Sequence, residues 1–176
     1  MDKVRNKGIY ADLCRIHLQN VEFAHGTQYF LPWHREIINR LEEALRAEDD
    51  SVTLPYWDWS VESQFPEDSI VFTNKYFGGN GGGGCIGGRY SNSGMGCVLR
   101  NFDQGRSIGA FAAPEVIRNV LRAGSFSEFW NRIEASPHGN VHNNIGGDMA
   151  TMSSCKDPFF YLHHAYIDKL WAIWQR

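Results

Sequence analysis

The residues of this chain best suited to chemistry are its seven histidines, which fall into two clusters. His138 and His142 sit four apart in SPHGNVHNNIGG, and DPFFYLHHAYIDKLW then adds His163 and His164. The earlier cluster is His17, His25 and His34, in IHLQNVEFAHGTQYFLPWHR. Neutral imidazole is the commonest metal ligand, and residues i and i+4 share one helix face, so His138 and His142 can aim two ring nitrogens at a single ion. Each cluster can supply three imidazoles, which points to a two-metal site.

A single histidine on an apolar helix is ordinarily a packing or surface residue, but two dense clusters on helical segments are harder to assign that way. Copper stands highest in the divalent affinity order and suits an all-nitrogen site. Zinc hydrolysis fits less well, because HGNVH lacks the glutamate of HExxH. A di-iron carboxylate bundle needs two Glu-x-x-His units, and only Glu22 with His25 qualifies. The chain does not need a metal merely to fold: its 176 residues, 43% hydrophobic and 14% aromatic, are enough for one domain with an ordinary core. The 17 basic and 20 acidic residues are well mixed, and their net charge of -3 leaves no basic stripe, which argues against a nucleic-acid partner. No apolar window is long enough for a membrane span, and the start MDKVRNKGIY has no apolar core of the signal-peptide kind. Cys14, Cys85, Cys97 and Cys155 form no CxxC pair. Cys85 and Cys97 bracket part of a glycine-rich loop and could be joined in an oxidising compartment; three full pairings of the four remain open.

The elements that must carry the histidines are mostly helical. Leu13, Ile16, Val21 and Phe23 recur at loosely helical spacing over residues 10–23, placing His17 in a helix that Gly26 stops. Pro32 suits the first turn of a second helix, with Ile37, Ile38, Leu41 and Leu45 on the face of His34. SVTLPYWDWS reads as extended, because Pro55 disfavours helix at Leu54. Trp33, Tyr56, Trp57 and Trp59 are assigned to the core. Eight of the eleven residues from Gly78 to Gly88 are glycine, so a long loop is expected over about 78–96. A short helix follows Pro114, a capping box of Ser125 with Glu128 opens the next, through about Glu134, and a brief separate helix holds His138 and His142 up to Gly146. Asp157 and Pro158 open a last helix, with Phe160, His164, Ile167, Trp171 and Trp174 on its buried side. The fold class is mainly α: a helical bundle holding a binuclear metal site, with long loops and little strand.

AHGTQYFLPWHR, LPYWDWS, PHGNVHNNIGG and DPFFYLHHAYIDKLW resemble, in order, the two copper-binding regions of the type-3 copper family, which comprises tyrosinase, catechol oxidase and molluscan haemocyanin. The resemblance spans most of residues 10–176 and weakens across the glycine-rich loop. It implies one copper-binding domain over residues 1–176, with His17, His25 and His34 holding one copper ion and His138, His142 and His164 the second. His163 is then a neighbour only. The expected partners are dioxygen and small phenols. The resemblance further implies that Glu134, four residues before His138, holds a water beside the coppers and helps remove a phenol proton. It makes Phe160 a wall of the pocket. Asp168, one turn after His164, is expected to bond a histidine or an arginine.

Three departures from the family pattern shape the expected activity. Gly139 follows His138 where many phenol-hydroxylating relatives carry asparagine, and Asn143, after His142, compensates only in part. Phe23 stands where some relatives carry the cysteine of a thioether crosslink. The chain also begins shortly before His17 and ends at Arg176, where family domains usually extend further, as in a minimal or trimmed member. The expected function is oxidation of catechols to ortho-quinones, with weaker ortho-hydroxylation of monophenols. The rivals are a reversible dioxygen carrier, which would need a cover over the same six ligands, and an inactive trimmed fragment.

Overall fold

A computed structural model describes residues 1–176, and they form the helical domain expected, with isolated bridges at Cys85–Leu99, Asn92–Cys97 and Gln104–Ser107 as the extent of β pairing. The helices are α1 Asp2–Asn6, α2 Ile9–Gln19, α3 Val21–Ala24, α4 Phe30–Arg46, α5 Pro114–Val120, α6 Phe126–Ile133, α7 Gly139–Ile145 and α8 Phe159–Trp174. Short 3-10 turns lie at Pro66–Asp68, Ile70–Phe72, Gly147–Ala150 and Met152–Lys156. Helix α4 buries Phe30, Leu31, Ile37, Ile38, Leu41 and Leu45 along with His34, and this apolar stripe packs on α8 at the centre of the molecule. Helix α8 is buried on nearly every side, as its apolar sequence requires.

Several local expectations need correction. The segment over 10–23 is two helices, α2 and α3, broken at Asn20, whose side chain donates to the Ile16 carbonyl at 2.8 Å and so competes with helix continuation. His138 and His142 do not sit on a separate helix. Residues Glu134–His138 form one wide π turn that joins α6 to α7 in a continuous run. Pro137 explains the widening: it has no N–H to donate, and its ring would strike the preceding turn of a regular α-helix. Ser125 caps α6 by accepting from the Glu128 N–H at 3.2 Å, but Glu128 reaches back to the N–H of Gly124, at 2.7 Å, rather than to that of Ser125. Trp57 and Trp59 are core residues, Trp33 is half-buried, and Tyr56 is exposed, its ring lying 4.0 Å beneath the Lys169 ammonium.

The glycine-rich loop is fastened at several points. Cys85 is joined to Cys97, and the second disulfide links Cys14 of α2 to Cys155, 141 residues away. Arg100, fully buried, donates to both carboxylate oxygens of Asp157 at 2.6 and 2.7 Å, and also to the Gly78 carbonyl. Asp157 in turn accepts from the Phe159 N–H at 2.9 Å; the N-cap position is Pro158 rather than Asp157, but the Asp157 carboxylate still satisfies the first N–H of α8. One ion pair thus ties the loop to the start of the helix that carries His163 and His164. At the far side, Gly146 and Gly147 have positive φ, and a Cβ on them would collide with the carbonyls of Asn101 and Leu99.

Arg100→Met leaves the Asp157 carboxylate buried with only its Phe159 N–H partner, and is expected to lower unfolding stability by roughly 3–5 kcal/mol. Urea titration of the metal-free chain measures this. A loss below about 1 kcal/mol means that the pair is not holding the loop on α8.

Candidate metal centre

Five structural segments converge to place the imidazoles. His17 projects from α2, His25 follows α3 in extended backbone, and His34 lies in the second turn of α4. His138 ends the π turn, His142 lies one turn further on α7, and His163 and His164 lie in the second turn of α8. Across the α4–α8 contact, His34 stacks on His164 with ring centroids 4.1 Å apart and planes 6° from parallel. The possible ligand atoms of His17, His25 and His34 lie within 4.8 Å of one another, as do those of His138, His142 and His164.

The hydrogen bonds decide which nitrogen each ring presents. Nδ1 faces the carbonyl of Met152 at 3.1 Å in His17, of Val21 at 3.1 Å in His25, of Phe30 at 2.8 Å in His34, of Glu134 at 3.1 Å in His138, and of Met149 at 2.7 Å in His142. A carbonyl only accepts, so Nδ1 carries the proton in each of these rings and Nε2 keeps a free lone pair. Nε2 of His17, His34, His138 and His142 is buried and has no hydrogen-bond partner, as are both ring nitrogens of His164. Buried polar atoms are rarely left unpaired, and an aligned set of unpaired acceptors on fixed tautomers is what a metal site requires. The residues therefore fit two metal ions, and an all-imidazole donor set suits copper.

His163 is different. The Trp59 indole N–H, which can only donate, points at its Nδ1 at 3.0 Å. The proton of neutral His163 is thereby placed on Nε2, the opposite tautomer, and that nitrogen has no lone pair to offer. This is a physical reason why His163 is poorly suited to ligate beside His138 and His142, whose possible ligand atoms group with those of His164. Trp59 enters the sequence reading only as a core aromatic, and its N–H is the signal that a buried indole needs an acceptor.

Burial lowers the pKa of every one of these imidazoles, because charge is disfavoured away from water. His17 falls from 6.5 to about 3, through burial first and then repulsion from His25 and His142, against the opposing pull of the Met152 carbonyl. His142 falls to about 4, again through burial first, partly offset by the Met149 carbonyl. His25 is lowered, and His34, His138, His163 and His164 lie well below the ordinary value, all chiefly by burial. The centre is consequently neutral, as metal ligation demands.

The other candidate residues are placed less uniformly. Phe160 is fully buried with its ring 5.0 Å from His17 and 4.3 Å from His164, so it walls the space between the triads. Glu134 accepts from the Gly26 N–H at 2.7 Å through one oxygen and from the Trp130 indole through the other, while its own carbonyl orients His138. It therefore braces the turn after His25 against α6. Asn143 is exposed and its amide makes no hydrogen bond within the chain. Asp168 accepts from Arg35 at 2.5 Å and not from a histidine. The carbonyls of Met149 and Met152 carry no sequence signal at all.

The sequence matches the family model described as the common central domain of tyrosinase, over residues 7–102 and 91–176. The chain is 36% identical over 177 residues to a tyrosinase of Streptomyces antibioticus, an alignment covering 86% of the chain and 64% of that protein. It is 34% identical over 197 residues to the tyrosinase ustQ of Aspergillus flavus, covering 97% of the chain and 55% of that protein. A tyrosinase-like protein of Caenorhabditis elegans is 32% identical over 98% of the chain and 28% of its own length. The chain thus spans between 28% and 64% of these relatives.

Imidazoles kept neutral in the fold bind protons more readily once unfolded, so stability is full above pH 6.5 and falls as the pH drops from 6.5 towards the depressed values of about 3 for His17 and about 4 for His142. Each such ring contributes a slope of about 1.4 kcal/mol per pH unit in that window. Urea unfolding of the metal-free chain at pH 7 and pH 5 tests this, and equal stabilities would contradict a buried neutral cluster.

Proposed function

Because the chain belongs to the tyrosinase family, we propose that it is a binuclear copper oxidase that uses dioxygen to convert catechols to ortho-quinones, with weaker ortho-hydroxylation of monophenols. The observation that carries this reading is the pair of facing imidazole triads, with His34 of one stacked on His164 of the other. His17, His25 and His34 would hold one copper ion, and His138, His142 and His164 the second. When bound, the two ions supply the electron-transfer chemistry by which one dioxygen oxidises two catechols to two quinones and is reduced to two waters.

The chain's own residues fix geometry and manage protons. Carbonyls clamp five of the six rings at Nδ1, so these five are already aligned before metal arrives, while His164 is held by packing on His34 and Phe160. Phe30, 4.8 Å from both His34 and His138, and Phe160 keep water from the space between the triads. His25 and Glu134 are only partly buried, which supports a site that a substrate reaches rather than the covered pocket of a dioxygen carrier. Glu134 is the candidate for holding a water that takes the substrate proton. A phenol has an ordinary pKa of about 10 and stays protonated at neutral pH, so monophenol chemistry depends on that step. Both Glu134 oxygens are already bonded to Gly26 and Trp130, and Asn143 is exposed; both features support a preference for catechols.

Copper titration is expected to saturate at two ions per chain and at one for His142→Ala, whereas His163→Phe keeps two. Saturation of the parent at one ion refutes the binuclear reading, and loss of an ion from His163→Phe but not from His164→Phe reverses the ligand choice. The backbone at Gly139 is ordinary helix, and a Cβ there would meet the Glu134 carbonyl at 3.6 Å, a normal contact. Gly139→Asn should therefore fit and raise the monophenol rate relative to the catechol rate by about 10- to 100-fold. An unchanged ratio at full copper content would remove this position from the control of substrate preference.

A further inference from the structure

Three of the five carbonyls that orient ligand rings lie four residues upstream of their histidine: Val21 for His25, Phe30 for His34 and Glu134 for His138. Those bonds follow from local chain geometry. The remaining two do not. His17 is oriented by Met152, 135 residues away, and His142 by Met149, seven residues on and beyond the end of α7. Met149 and Met152 belong to the same short segment, the paired 3-10 turns of Gly147–Lys156, so one strap holds a ring from each triad.

The strap is fastened independently of the rings it orients. The Asp148 N–H donates to the Leu99 carbonyl at 2.9 Å, and its carboxylate accepts from the Leu99 N–H at 2.8 Å and from the Lys156 ammonium at 2.9 Å. The Tyr10 hydroxyl donates to the Lys156 carbonyl at 3.3 Å. Cys155, in the second turn of the strap, is joined to Cys14, which lies three residues before His17 on α2. Both cysteines are completely buried. The disulfide therefore connects the two sides of the Met152–His17 hydrogen bond directly: it joins the segment that accepts to the helix that donates.

We propose that Gly147–Lys156 is a positioning strap that sets His17 and His142 together, and that the Cys14–Cys155 disulfide is the crosslink that keeps it in register with α2. Its consequence for metal binding rests on the reading that the triads hold copper, whereas its consequence for the rings does not. Without the crosslink, the Met152 carbonyl is free to drift from Nδ1, the His17 proton exchanges between nitrogens, and the His17 triad loses a prealigned ligand. The Cys85–Cys97 disulfide lies in the glycine-rich loop and touches neither carbonyl, so it is the matched control.

The test compares the parent chain with Cys14→Ala/Cys155→Ala and Cys85→Ala/Cys97→Ala. Ring nitrogen resonances of the metal-free proteins report tautomers, and titration with cupric ion reports affinity at each triad. Loss of the Cys14–Cys155 crosslink is expected to give His17 a mixture of tautomers and to weaken one of the two copper sites by about 10- to 100-fold, with the control matching the parent. A folded Cys14→Ala/Cys155→Ala protein with parental His17 resonances and parental affinity at both sites overturns the proposal. So does equal weakening by the control pair. Should the crosslink variant not fold, Asp148→Asn loosens the strap at its Lys156 ion pair and leaves both disulfides in place. It should broaden the His142 and His17 tautomer signals, and unchanged signals overturn the proposal. Tautomer changes in a chain whose parent takes up no copper would refute the copper reading and leave the strap standing.

Discussion

The molecule is organised around one constraint: a set of ring nitrogens held in the dry core without a hydrogen-bond partner from the chain itself, as a metal site requires. Leaving one buried acceptor unpaired costs about 1–3 kcal/mol, so a cluster of them weighs heavily against the few kcal/mol that separate folded from unfolded chains. The arrangement survives because six of the seven rings are anchored by one nitrogen, His164 being held by packing alone, and because a large aromatic core surrounds them. Phe30, Phe160 and the α4–α8 contact supply that core, and they do so with residues adjacent to the histidines themselves. Stability and site geometry are therefore not separable here, since the side chains that shield the triads also join the central helices.

The same burial accounts for the electrostatics. The seven imidazoles crowd each other, and a single proton among them would repel its neighbours in a medium that screens poorly. Neutrality is enforced by burial, which outweighs the opposing pull of Glu134 on His25 and of Asp157 on His142. Asp157 and Asp168 are each satisfied by an arginine, Arg100 and Arg35, and Glu134 by two N–H donors. Their negative charge is thus largely engaged elsewhere, and the buried rings stay uncharged.

Much of this was legible in the sequence, and the reasons differ by residue. The histidine clusters, the stripe of α4 and the start of α8 are written in local spacing, which a helix converts directly into a shared face. The resemblance to known copper-binding regions is what separates His164 from His163, a choice for which spacing alone offers no criterion; the Trp59 indole on Nδ1 of His163 is consistent with that choice. The π turn was missed because Pro137 reads locally as a helix boundary, and only the continuity of α6 with α7 shows that it was absorbed. Tyr56 was misplaced because aromatic character signals burial, while its ring lies at the surface beneath the Lys169 ammonium and beside Tyr166. The backbone carbonyls of Met149 and Met152 are invisible to any reading of side chains, as was the pairing of Cys14 with Cys155 over 141 residues.

The wide turn at Glu134–His138 also has a meaning for chain length. Each residue added to or removed from a helix rotates everything beyond it by about 100° and shifts it by about 1.5 Å. The extra residue taken up in this turn is therefore part of the phase between α6, which is packed on the core by Phe129 and Ile133, and α7, which presents His142. A one-residue deletion here would leave every ligand type in the sequence and every helix predicted, yet point His142 away from its partners. Within this stretch, the count of residues carries as much information as their identity.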